Sequence, residues 1–135
     1  MKKVLENEFV MMYLDESKKL INDVWNEKTA DLTDKQFRDI LSEWLNLVIA
    51  NDVELSLIDA RKMRFMVDPE LQAWVAAEIN APAQQHSLKK AATLLPATIF
   101  EQVSLQQTMD EIKNANDFEA KIFADEGEAQ AWLFS

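Results

Sequence analysis

Apolar residues recur along this chain with two rhythms, one of period 3.6 and one of period 2. In "TDKQFRDILSEWLNLVIA", residues 33 to 50, Phe37, Ile40, Leu41, Trp44, Leu45 and Val48 fall at i, i+3, i+4, i+7, i+8 and i+11. That spacing lays them on one face of an amphipathic helix. Thr33 stands three residues before Gln36, the spacing of a capping box that fixes the helix start. Upstream, "FVMMYL" at 9 to 14 and "KLINDVW" at 19 to 25 flank the polar "DESK". This predicts a hairpin, although its turn has no Asn-Gly signal. "VELSLID", 53 to 59, predicts a strand with Val53, Leu55, Leu57 and Ile58 mostly buried. A second helix follows, with Asp68 as N-cap, Pro69 at the first helical position, and Leu71, Trp74, Val75 and Ile79 as its buried stripe. It is expected to end before Pro82, leaving "APAQQHS" as a loop.

"KKAATLLP", 89 to 96, predicts a short buried strand stopped by Pro96. Thr98 with Glu101, and Ser104 with Gln107, repeat the capping-box spacing and predict a turn feeding a helix. Leu105, Thr108, Met109 and Ile112 would supply that helix's inner face. "FEAKIF", 118 to 123, alternates with Glu119 and Lys121 outward. Asp125 and Glu128 then open a C-terminal helix anchored by Trp132 and Leu133. The expected order is β-β-α-β-α-β-α-β-α, an α/β fold. Strands that alternate with helices imply parallel pairing through right-handed crossovers, with the leading hairpin at an edge or extending a mixed sheet. No repeat or linker divides the sequence, so residues 1 to 135 read as a single domain.

Composition narrows the chemistry. Apolar residues make up 48% and charged ones 28%, as in ordinary globular domains. A formal net charge of −10, from 24 acids against 14 bases, repels phosphate backbones, so no nucleic-acid partner is expected. The absence of cysteine excludes disulfides and thiolate chemistry. With one histidine, His86, zinc sites and Cys-His nucleophiles are absent too. His86 is expected in a loop, solvated and without a partner. One glycine, Gly127, rules out phosphate-binding and dinucleotide loops. No catalytic residue, cofactor or metal is therefore expected. In the opening "MKKVLENEFVMMY", Glu6, Asn7 and Glu8 interrupt any apolar signal region, and no stretch reaches membrane-spanning length. A soluble cytoplasmic protein is expected.

The stretch "LIDARKMRFMVDPELQAWV", 57 to 75, carries the remaining signal. A strand ending at Asp59 and a helix capped by Asp68 place the loop between them at the carboxyl edge of the sheet, where α/β folds bind ligands and partners. That loop concentrates Arg61, Lys62 and Arg64 in an acidic protein, with Met63, Phe65 and Met66 between them. One use is structural: Phe65 and some methionines pack while the bases stay solvated. The other is a basic, methionine-rich surface of Arg61, Lys62, Met63, Arg64, Met66 and Asp68 that docks an acidic protein partner or a lipid headgroup. Trp25, Trp44, Trp74 and Trp132 read as core.

Taken together, the opening hairpin, "TDKQFRDILSEWL", the strand ending in Asp59, "DPELQAWV", "KKAATLLP" and "FEAKIFADEGEAQAWL" resemble the STAS-like group, the sulfate-transporter and anti-sigma-factor-antagonist fold, in particular small stand-alone bacterial STAS/SEC14-type domains. The resemblance covers nearly the whole chain and lies in element order. It implies a short βα superhelix with helices on a mixed sheet, acting as a non-enzymatic regulatory or protein-interaction module. Antagonists in this group carry a phosphorylatable serine at the start of the helix after this loop. Here Val67-Asp68-Pro69-Glu70 offers no hydroxyl, and Asp68 reads as an N-cap. The alternative role implied by the resemblance is holding a nonpolar ligand between helix and sheet, near Trp44 and Trp74, with peripheral membrane contact.

Overall fold

The computed structural model describes residues 1–100 and 118–135. The helix expected around Leu105, Thr108, Met109 and Ile112, and the spacings Thr98–Glu101 and Ser104–Gln107, involve residues outside that set. The chain is α/β, built on a six-stranded mixed sheet whose strands lie side by side in chain order. These are β1 (Lys2–Glu6), β2 (Val10–Asp15), β3 (Leu20–Trp25), β4 (Leu55–Asp59), β5 (Lys90–Leu94) and β6 (Glu119–Phe123). β1, β2 and β3 run antiparallel; β3 through β6 are parallel.

The expected hairpin is β2–β3, and it extends the sheet in mixed orientation. Asp15 nucleates its turn, taking the Ser17 hydroxyl at 2.7 Å and the Lys18 amide at 3.2 Å, while Lys19 adopts a left-handed φ of 53°. β1 is an addition to the expected order. Its pairing with β2 slips between Lys3 and Leu5, so this outer strand is irregular.

Between β3 and β4 come a 3₁₀ turn, Glu27–Asp31, and helix α1, Asp34–Asn51. The capping box is present on both sides: the Gln36 amide meets Thr33 Oγ1 at 3.2 Å, and the Thr33 amide meets Gln36 Oε1 at 3.0 Å. Phe37, Ile40, Trp44 and Val48 are buried as the stripe dictates. Between β4 and β5 the helical path is longer than expected. α2 (Pro69–Trp74) runs into a π turn (Val75–Asn80) and on into α3 (Ala81–His86), with Pro82 inside. In a regular α-helix the Pro82 ring would press on the carbonyl four residues back, and it has no amide to donate. The wider turn removes that conflict: the Ala81 amide bonds Ala76, five residues back. "APAQQHS" is thus helix through His86, not a loop.

Two apolar clusters sandwich the sheet. The larger one joins Val10, Met12, Ile21 and Trp25 to α1, the π turn and α3. On the opposite face, Leu20, Leu57, Leu94 and Phe123 meet helix α4 (Glu126–Leu133). No helix among the described residues is long and apolar enough to cross a membrane.

Candidate functional site

The strand period decides which side chains of β3 face α1. Ile21, Asp23 and Trp25 share that phase, so a carboxylic acid enters the larger apolar cluster between two hydrophobic neighbours. Asp23 is only 3% exposed. Its Oδ2 accepts the Trp25 indole N–H at 2.7 Å; its Oδ1 has no hydrogen-bond partner among the described residues. Burial pushes this carboxyl up to about 7, opposed by the indole hydrogen bond and assisted by the charge of Asp59.

Asp23 lines a cavity of about 280 Å³. Its floor is the carboxyl-end portion of the parallel strands, with Trp25, Ile58 and Thr93 beside Asp23. Phe37, Leu41 and Trp44 of α1 cover it from above, at successive helical turns. The π turn adds Val75, Ile79 and Asn80, and the β4–α2 loop adds Ala60, Met63 and Val67. Among the described residues Asp23 is the only ionisable side chain in the wall. An aromatic and aliphatic cleft with a single acidic group suits a small apolar molecule bearing one polar head.

The loop from 60 to 68 behaves as an extended strip laid over this region. Met63, Phe65 and Val67 turn inward, while Arg64, Met66 and Asp68 turn outward. Phe65 stacks on Phe37 with ring centroids 4.8 Å apart. The strip is pinned midway: the Arg64 amide donates to Thr29 Oγ1 at 2.7 Å, and that hydroxyl donates to the Asn26 carbonyl at 2.7 Å. Thr29 is fully buried, so the 3₁₀ turn acts as the loop's foundation.

The expected basic patch is therefore divided. Arg61 folds back onto Asp59 in a bidentate pair, at 2.9 and 2.7 Å, which holds the Asp59 carboxyl below its usual range. Met63 belongs to the cavity wall. Lys62, Arg64 and Met66 remain on the surface, Met66 with 90% of its area exposed. Asp68 caps α2, its Oδ1 taking the Leu71 amide at 2.8 Å. Of the two tryptophans considered for ligand lining, Trp44 borders the cavity; Trp74 does not, and lies half-buried beneath the Arg38 guanidinium, 4.8 Å from its ring centre. Trp25 and Trp44 are buried, whereas Trp132 is half-buried with Lys90 Nζ 5.2 Å from its ring. His86 has a partner after all: its Nε2 lies 2.7 Å from Oδ1 of Asp52, the left-handed residue that ends α1.

Asp23 was legible and missed. In "KLINDVW" the alternation that faces Ile21 and Trp25 inward carries Asp23 with them. An acid at the buried phase of a strand is the signal. No protein-family model, curated protein or solved structure matches the chain.

Proposed function

We propose that this protein is a non-enzymatic binding module of STAS-like type that holds a small apolar molecule between α1, the π turn and the carboxyl ends of the parallel strands. The cavity of about 280 Å³ carries this reading. Its lining is largely aromatic and aliphatic, a surface that a bound apolar molecule would remove from water. Its volume is roughly twice the ~150 Å³ of an apolar void that admits benzene. Its position is the sheet edge at which α/β folds bind their ligands. The STAS-like assignment rests on element order: an antiparallel lead-in followed by βα units.

A second reading has its own support. Met66, almost wholly exposed, sits with Lys62 and Arg64 on the outer side of the strip whose inner side forms the cavity wall. A regulatory module could present ligand occupancy to an acidic protein partner through that strip.

Indole provides the test of the first reading. It should raise the thermal midpoint of the wild-type chain and leave Val75→Phe, whose ring projects into the cavity, unmoved. No shift in the wild type at millimolar indole would reject the binding reading. For the second, Lys62→Glu with Arg64→Glu should abolish partner capture while the indole response persists; capture that survives both charge reversals rejects it.

A further inference from the structure

We infer that the molecule held in the cavity is a small aryl-alkyl amine, its ammonium group received by the buried, unpaired oxygen of Asp23 and its apolar body lying against Phe37, Trp25 and Trp44. This rests on the binding reading above and adds the ligand's charge to it.

The argument starts from what Asp23 lacks. One carboxylate oxygen is satisfied by the Trp25 indole; the other is buried without a partner among the described residues, on a side chain that lines the cavity. Burying an oxygen that way is costly, and a native chain retains such a group where something else completes it. A neutral alcohol would supply the missing hydrogen bond but no countercharge. A carboxylate would face the like charge of an ionised Asp23. An ammonium supplies both the donor and the charge, in a charge-assisted bond roughly twice as strong as a neutral one. The walls favour the same choice, because Trp and Phe faces attract cations within about 6 Å of the ring. Finally, the chain carries a net charge of −10, which favours the approach of cations over anions. Burial disfavours the Asp23 carboxylate and pushes its carboxyl up to about 7, and an ammonium beside it would favour the charged form again.

Three probes of matched shape decide the matter on the full chain by titration calorimetry: phenethylamine, 2-phenylethanol and 3-phenylpropanoate. The amine is expected to bind about tenfold more tightly than the alcohol, and the carboxylate not measurably. Asp23→Asn, which keeps an oxygen for the Trp25 indole, should bring the amine and the alcohol to equal affinity. Equal binding of amine and alcohol to the wild type would overturn the amine assignment and leave the apolar cavity standing. Failure of all three probes together with indole would overturn both. An amine preference that survives Asp23→Asn would show that another group receives the ammonium, and the assignment to Asp23 would fall.

Discussion

A carboxyl that is 3% exposed, with one oxygen on an indole and the other unpaired among the described residues, weighs against the folded state whenever it is ionised. Asp23 titrates at about 7 when folded, against about 3.9 in an unfolded chain. Between those values the folded protein binds the extra proton, so stability falls as pH rises from about 4 to about 7. The full loss is on the order of 4 kcal/mol above that window, from about three pK units at 1.36 kcal/mol each. Asp23→Asn escapes this loss and bears only the cost of an imperfectly paired amide. It should be more stable than the wild type at pH 8, by about 1–3 kcal/mol, with the advantage vanishing toward pH 4.5. Urea denaturation at the two pH values checks this; an advantage independent of pH contradicts it. Asp68 makes the contrasting case. Its carboxylate meets the Leu71 amide at 2.8 Å, so Asp68→Ala should cost about 1 kcal/mol without altering phenethylamine affinity.

The elements that were legible in the sequence are those whose local chemistry and tertiary packing agree. α1 has both a capping box and a complete apolar stripe, and it forms where the spacing places it. β4, β5 and β6 fall within a residue or two of the expected bounds, β4 and β5 as short, largely apolar runs and β6 through its alternation. β1 was not legible: Lys2, Lys3 and Glu6 leave it little inward pattern, and the strand exists because β2 offers an edge to pair with. The helix through Pro82 was hidden for a different reason. A proline rule written for regular helices does not anticipate a π turn that absorbs the missing bond. For the site, the carboxyl-edge location was readable and the loop's surface role was only half so, since Arg61 finds Asp59 and Met63 turns inward. What no local pattern could give is the anchor beneath that loop. Thr29, 35 residues earlier, receives the Arg64 amide at 2.7 Å. Thr29→Val keeps the shape but removes the hydroxyl, orphaning that amide at a cost of about 1–3 kcal/mol. Amide hydrogen exchange at Arg64 should accelerate strongly while that of α1 changes little; unchanged protection at Arg64 would show that the strip is held by other contacts.

For the molecule as a whole, opposed titrations set an acid-shifted optimum. The pair with Arg61 lowers the Asp59 carboxyl, and the Lys89 and Lys19 ammonium groups lower Glu54. Those contributions are present above the ordinary carboxylate range and are lost as pH falls through the lowered values. Asp23 acts with the other sign, its penalty growing as pH rises toward about 7. Thermal stability should therefore peak between about pH 4 and 6, and Asp23→Asn should broaden the plateau to neutrality. A wild-type maximum at pH 8 would contradict the assignment. The same whole-molecule view gives meaning to the slipped register between Lys3 and Leu5 at the sheet's outer strand. A straight outer strand is a template on which a second chain can lay its own backbone, amide for carbonyl. Here the step in pairing breaks that template partway along, and charged side chains at both ends, Lys2, Lys3 and Glu6, keep the strand hydrated. The strand that owes its existence to a neighbour is thus shaped so that it cannot easily recruit another.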